Sequence, residues 1–418
     1  MPPALPPPPP DADLTDQITY WENAKNAAAA AQYDAIFTFA RERAQVELDT
    51  GVVAPEHVER SLSVQVGYAC RVAPTEGRRR LLTARDLHTG HHRIRELYGQ
   101  GLLSEYQVIT LTHATRHLDP DERAQVDRDL GERQVEHLGV RRMADLARKL
   151  AAEIAPEKFQ ARARAAKKSR HVSLRPAADG MAYLSALLPA EQGIACLGAL
   201  ATAAKDAAVS PEPVTRGRGQ IMADTLVERI TGQATAEDVH IEVQVIVPVD
   251  ALLDPDSPLP AIIPGHGPIP LERILTHHGE KSIRRLLTRD GIIIGGDSRQ
   301  RGFTGALATF IRARDGGRCT EPYCDAPIRH LDHVQRWADD GKTQFDNGRG
   351  MCELHNYVRE MPGWSAKKAD GVIVTTTPTG HEYTSGLGTG TTASRPRTKR
   401  KNWHTTRADS RERHPERP

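Results

Sequence analysis

The residues best able to do chemistry lie together between Cys319 and Arg359, in the stretch CTEPYCDAPIRHLDHVQRWADDGKTQFDNGRGMCELHNYVR. Two kinds of chemistry are superimposed there. Cys319-x4-Cys324 and Cys352-x2-His355 form a split pair-plus-pair pattern of thiolates and imidazole, the donors zinc takes in a tetrahedral cage. Four protein donors fill that cage and leave no open position, so this zinc staples a small subdomain rather than doing chemistry. The second set, Asp332, His333, Asn347 and Asn356, has the residue types needed to hold a hard metal ion and activate a water.

Local elements must position both sets. Glu321-Pro322 bends the chain so that a turn can present Cys319 and Cys324 together. Cys352 and His355 are spaced for one turn of helix, where residues three apart share a face. Ile328 to Val334 is expected as a strand, and its alternation puts Asp332 and His333 on opposite faces. Gly341 and Gly348 flank a loop containing Asn347, and Asn356 follows the last zinc donor on the helix.

On these residues the segment resembles an HNH endonuclease module, the ββα-metal nuclease motif, in its zinc-stapled form. Asp332-His333 matches the first element, Asn347 the second and Asn356 the third. The likeness runs through Asp340-Gly341-Lys-Thr and Asn347-Gly and covers roughly residues 312–364. The whole chain is similar to actinobacterial proteins that join a long helical domain of unknown function to such a C-terminal module. The resemblance implies a metal-dependent endonuclease that hydrolyses DNA phosphodiester bonds. His333 is then the general base, Asp332 and Asn356 hold one divalent ion (Mg²⁺ or Mn²⁺), and Asn347 braces the loop and orients His333 by hydrogen bonding. Arg359, about one turn beyond Asn356, is placed to contact a phosphate. The third element is most often histidine in the family; the amide oxygen of Asn356 is also a ligand for a hard ion. The rival reading is a zinc-stapled DNA-binding protein without turnover, which would need none of Asp332, His333 and Asn356.

The rest of the chain is read as mainly α, with a small mixed middle region ahead of the ββα-metal module. Residues 1–13 are a proline-rich segment expected to be disordered, and they lack the charged and apolar regions of a signal peptide. Residues 14–300 are expected as a helical domain with a small α/β part. Helices are predicted over 17–49, from Asp119-Pro-Asp-Glu onwards, over 141–165, 191–207, 219–230, 271–287 and 303–315. Residues 170–188 read as a hairpin about Ala178-Asp179-Gly180, and 239–247 and 291–295 as strands, with a loop over 255–270. The module is assigned to 301–378, with a last strand at 372–376. Residues 379–418 are expected as a flexible tail, with nine Lys/Arg against three Asp/Glu from Arg395 to Arg417. Such a tail is either simply solvated or adds non-specific affinity for a polyanion.

Composition narrows the function classes. Net charge is +2, so no global bias towards nucleic acid exists. Three of the five cysteines cluster beside a histidine, which points to a metal site in a reducing compartment rather than a disulfide framework. No apolar run reaches the roughly 18 residues needed to span a bilayer, so no membrane partner and a cytoplasmic location are expected. The helical part carries no catalytic constellation, and target engagement or self-association is its expected job. Arg78-Arg79-Arg80, His91-His92 and His277-His278 are read as exposed helix positions, and Trp337 and Trp364 as core residues of the module.

Overall fold

Proline and polar caps decide where many of the helices begin. A computed structural model describes residues 7–49, 55–133, 135–209, 215–233, 235, 260–270, 288–289, 292–293, 297–298, 301–369 and 372–387. Its first half contains α1 (Leu14–Asp49), α2 (Pro55–Cys70), α3 (Pro74–His88), α4 (His92–Gly99), α5 (Glu105–Thr115), α6 (Pro120–Gly131), α7 (Val140–Ile154) and α8 (Pro156–Ala166). Ser104 with Gln107, and Asp119 with Glu122, form reciprocal capping boxes at the starts of α5 and α6. The helix expected over 141–165 is instead two. Pro156 has no N–H to donate and its ring excludes the preceding helical turn, so α7 stops and α8 restarts.

Helices α1 to α7 enclose one apolar core, with Tyr33, Leu87, Ile94, Tyr98, Leu111, Leu130 and Met143 all nearly or fully buried. A charged cluster is buried beside it. The Asp86 carboxylate accepts from Arg116 at 2.6 Å and from Arg123 at 2.9 Å. His91, expected in solvent, is fully buried and lies 2.8 Å from the Thr115 hydroxyl. It is the residue just before α4, where the tight entry from α3 turns its ring inward. Arg78 and Arg79 do lie on an exposed face, while Arg80 is mostly covered through Glu76 and Glu105. Gly77 of α3 sits directly on Gly67 of α2, and a Cβ there would come within 2.6 Å of the Gly67 nitrogen. The two glycines let α2 and α3 touch backbone to backbone.

The middle region opens with the antiparallel hairpin of β1 (His171–Pro176) and β2 (Ala182–Leu187), followed by α9 (Ala190–Ala208) and α10 (Arg218–Thr231). The hairpin turn needs left-handed backbone at Asp179 and Gly180, as the Ala-Asp-Gly signal implied. Where a loop was expected, β3 (Ala261–Ile263) and β4 (Gly267–Ile269) pair instead. The short turn between them uses positive φ at Gly265 and Gly267, so the glycines reverse the chain rather than leave it irregular. Short strands β5 (Thr288–Arg289) and β6 (Ile292–Ile293) pair with each other. The strand expected at 239–247, the helix at 271–287 with His277 and His278, and the basic tail from 388 lie outside the described residues.

The C-terminal part starts with β7 (Asp297–Ser298) and α11 (Gly305–Arg314) and continues through β8 (His330–His333), β9 (Thr343–Gln344), β10 (Gly348–Met351) and α12 (Glu353–Arg359). Strands β8 and β10 are antiparallel, with Asp332 opposite Arg349 and His333 opposite Gly348; β7 pairs with β9. A last meander of β11 (Ser365–Ala369), β12 (Val372–Thr376) and β13 (Glu382–Gly386) follows. Only its middle strand was expected, and β13 runs past residue 378. Among the described residues the chain is thus mainly helical with small antiparallel sheets, and no helix is long and apolar enough to cross a membrane.

Helix α2 joins the helical bundle to this C-terminal part. Val64 and Tyr68 on α2 pack with Val358, Met361 and Trp364 in one buried cluster. The Trp364 indole N–H donates to Ser61 at 3.2 Å. The Tyr68 hydroxyl donates to Glu321 at 2.6 Å, where Thr375 (3.0 Å) and Arg349 (2.6 Å) also donate. Burial alone would favour the neutral acid. Arg349 and the hydroxyls of Tyr68 and Thr375 outweigh it and hold the Glu321 carboxyl below its usual range. Glu321→Gln leaves the fully buried Arg349 without its counter-charge, and a loss of about 3–5 kcal/mol is expected. Tyr68→Phe removes one donor to a charged acceptor, with an expected loss of about 1.5–3 kcal/mol. Denaturant unfolding of the full chain measures both, and equal stability of Glu321→Gln and wild type would contradict the assignment.

Candidate metal centre and hydrolytic site

The four zinc-type donors converge. Cys319, Cys324, Cys352 and His355 are all buried, and their ligand atoms lie within 4.8 Å of one another. A tight turn presents the first pair: Cys319 N–H donates to Ala326 O, Cys324 N–H to Glu321 O, and Tyr323 takes left-handed backbone between them. Helix α12 presents the second pair. Cys352 is its N-cap residue, and its sulfur accepts the His355 N–H at 3.4 Å.

The spacing of the donors fits zinc. Bonds of about 2.3 Å to sulfur and about 2.0 Å to nitrogen give a tetrahedron with edges of about 3.5–3.8 Å. The Cys324 and Cys352 sulfurs are 3.9 Å apart, and His355 Nδ1 lies 3.5 Å from Cys319 Sγ and 3.4 Å from Cys352 Sγ. The cluster could therefore hold a metal such as zinc, with His355 ligating through Nδ1. The Tyr68 ring stacks over the His355 imidazole at 5.8 Å, so the helical bundle covers one side of the cluster.

The second set is distributed over β8, the segment just before β10, and α12. On β8, His333 turns inward and is 7% exposed, whereas Asp332 remains partly open. The His333 ring is flanked by Phe303, with ring centres 4.5 Å apart, and by Trp337 at 5.9 Å. Trp364 is a core residue as expected, but Trp337 is 41% exposed and serves as a wall beside His333. Burial lowers the pKa of His333 below the ordinary imidazole value; Asp332 raises it, and Arg359 and Arg301 lower it. The net direction favours the neutral ring that a base requires.

Asn347 holds the loop that follows β8. Its amide oxygen accepts the Gln335 N–H at 2.9 Å, and its amide nitrogen donates to Gln335 O (3.1 Å) and Lys342 O (2.9 Å). It does not reach the His333 ring. The group that does is the Thr343 hydroxyl, 2.9 Å from His333 Nε2, a contact not anticipated from the motif. The signal for it was present in Gly341-Lys-Thr: a Cβ at Gly341 would collide with the Gln335 and Arg336 carbonyls, so this turn is built tight enough to bring β9 back against β8.

Arg359 is turned inward rather than towards a phosphate. It is 5% exposed and donates to the Asp332 carboxylate and to the carbonyls of His333 and Val334. Those carbonyls end β8, and the guanidinium satisfies them while pinning the last turn of α12 to the strand. Asn356 lies three residues earlier, hence on the same helix face, is partly buried and shows no side-chain hydrogen bond among the described residues. Asp332 is thus partly open on β8, and Asn356 lies on the helix that Arg359 pins to that strand.

The metal content of the purified chain tests the buried cluster. One zinc per chain is expected, falling to none in Cys352→Ser, with a collapse of the thermal transition on chelation. Metal binding in comparable small sites contributes on the order of 10 kcal/mol to folding. A transition insensitive to chelator would exclude a structural metal.

Comparison with known proteins places most of the chain but not the site. Two uncharacterized proteins of Mycobacterium tuberculosis (strain ATCC 25618 / H37Rv) are similar: Rv2100 is 34% identical over 107 residues, 25% of this chain and 18% of that protein. Rv3776 is 35% identical over 83 residues, 19% of this chain and 16% of that protein. The matches thus span less than a fifth of the length of either curated relative. No solved structure matches the chain. Residues 22–315 match a family model described as Domain of unknown function (DUF222), which ends just ahead of Cys319. On that match, covering most of its 418 residues, the chain belongs to the DUF222 family.

Proposed function

We propose that the chain is a metal-dependent endonuclease of the HNH type that hydrolyses DNA phosphodiester bonds. The observation that carries this reading is that Asp332 and His333 are neighbours on β8 and that Arg359 ties this strand to α12, the helix that carries Asn356, next to a separate set of donors that could hold zinc. The succession of β8, β10 and α12 supports the ββα-metal assignment. A structural zinc module alone needs neither a buried, ring-flanked histidine nor a partly open carboxylate beside it on the strand.

The residues divide the work as follows. Asp332 and Asn356 would hold the divalent ion, Mg²⁺ or Mn²⁺, whose charge would stabilise the phosphate and the leaving oxygen. His333 takes the proton from the attacking water. Phe303 and Trp337 keep its ring in one orientation. Asn347 fixes the loop from Gln335 to Lys342 and so shapes the wall of the site. Beside Asn347 a groove opens that is lined by Arg336, Lys342, Lys367 and Lys368, with Asp339, Asp340 and Asp346 between them. Its cations are suited to phosphate contacts that position a strand without reading its sequence.

The Asp332–Arg359 pair favours a second reading, a DNA-binding protein that does not cleave. Arg359 already neutralises one oxygen of Asp332, and a metal must be held through the other. Plasmid nicking separates the two. Wild type is expected to nick in Mg²⁺ or Mn²⁺, and His333→Ala to lose about 10²–10⁴-fold in rate while retaining its zinc. Equal rates for both proteins would rule out the proposed base. A gel shift without cleavage under either ion would establish the binding reading.

A further inference from the structure

We infer that the hydroxyl of Thr343 is a positioning group that sets the tautomer of His333, leaving Nδ1 as the nitrogen that takes the proton. The inference rests on the proposed hydrolytic role of His333 and assigns that role to one atom of the ring.

The argument is a count of protons. Thr343 is 1% exposed, and its Oγ has two close partners: His333 Nε2 at 2.9 Å and the Arg301 carbonyl at 3.2 Å. A carbonyl can only accept, and a hydroxyl has one proton to give. That proton goes to Arg301 O, so the hydroxyl turns a lone pair towards His333. The bond between them then requires a proton on Nε2. A neutral imidazole has one N–H, so Nδ1 carries the lone pair. Nδ1 has no hydrogen-bond partner among the described residues and is free to meet a water.

The surroundings hold this arrangement still. Thr343 lies on β9, paired with Ser298 of β7, and Asn347 clamps the adjoining Lys342 carbonyl. Phe303 fixes the ring plane from the other side. Arg301 and Phe303 both belong to residues 22–315, the part matched by the DUF222 family model. The helical family region therefore contributes the carbonyl and one wall of the site, and the base is oriented from outside the Cys319–Arg359 stretch.

Two substitutions separate positioning from packing. Thr343→Val keeps the shape and removes the acceptor; Thr343→Ser keeps the acceptor and loses a methyl. In the full, zinc-loaded chain labelled with ¹⁵N-histidine, the ring nitrogens of His333 are expected to show the proton on Nε2 in wild type and Thr343→Ser. That preference is expected to be lost in Thr343→Val. In plasmid cleavage with Mg²⁺, Thr343→Val is expected to lower kcat by about 10²-fold with little change in KM, and Thr343→Ser to restore most of the rate. A wild-type proton on Nδ1 overturns the inference, as does a Thr343→Val protein with unchanged tautomer and rate. If wild type cleaves under no divalent ion, the nuclease reading fails, and the nitrogen shifts still decide the tautomer. If Thr343→Val does not fold, the wild-type shifts alone decide it.

Discussion

The buried carboxylate of Glu321 is the interaction on which the arrangement of the whole C-terminal part turns. It lies in the turn between Cys319 and Cys324, and it accepts from Arg349 on β10, Thr375 on β12 and Tyr68 on α2. A charge in that position is costly unless each of its oxygens is matched. Matching them requires the zinc-type turn, the strand opposite β8, the last sheet and the helical bundle to meet at one point. Arg349 is itself fully buried and stands opposite Asp332 in the ladder, so the partner of Glu321 also sets the register of β8. Satisfying one carboxylate therefore aligns the strand that carries the proposed base.

Adjacent residues are separated by function through simple geometry. Along β8 successive side chains point to opposite faces. Asp332 remains partly open, and His333 turns in between Phe303 and Trp337. On α12 a step of one residue is about 100° of rotation. His355 joins the sulfur donors, and Asn356 shares the face of Arg359, which is pinned to Asp332. One residue step thus separates a member of the Cys/His cluster from a residue that faces the β8 side of the helix. A rigid metal cluster at the start of α12 would also fix the rotation of the helix, and with it the direction in which Asn356 points.

How much could be read from the sequence depended on how local the determinant was. The convergence of Cys319, Cys324, Cys352 and His355 was legible because they sit in two short turns whose spacing is itself the signal. The start of α6 was legible because Asp119, Pro120 and Glu122 act within one turn. Arg359 was misplaced because its burial depends on β8 ending in two carbonyls that need a donor, a fact of tertiary pairing. Thr343 was missed because it acts across ten residues, through a turn and a second strand. Tyr68 was out of reach: the contact joins positions 253 residues apart, and an isolated tyrosine in a helix carries no mark of its partner. Strands β11 and β13 are short and mostly polar, and their order comes from pairing with β12, which has the apolar pattern.

The physical seam in the chain does not coincide with the boundary of the family match. The match ends at Asp315, yet α11 and Asp315 belong to the C-terminal core. Leu307 and Ile311 pack on Phe345. Arg314 donates to the carbonyls of Phe345 and Gly348, and the Asp315 carboxylate accepts the Gly350 N–H. In the other direction, α2 lies deep within the matched residues and packs directly on α12 and Trp364. A helical domain tethered by a loose linker would show neither exchange. The interlocked arrangement means that a displacement of α2 reaches α12 and Trp364 through Tyr68 and Ser61. A shift of α2 by even a fraction of an ångström would bear on the Cys/His cluster, whose His355 ring stacks on Tyr68, because packed interiors transmit displacement rather than absorb it.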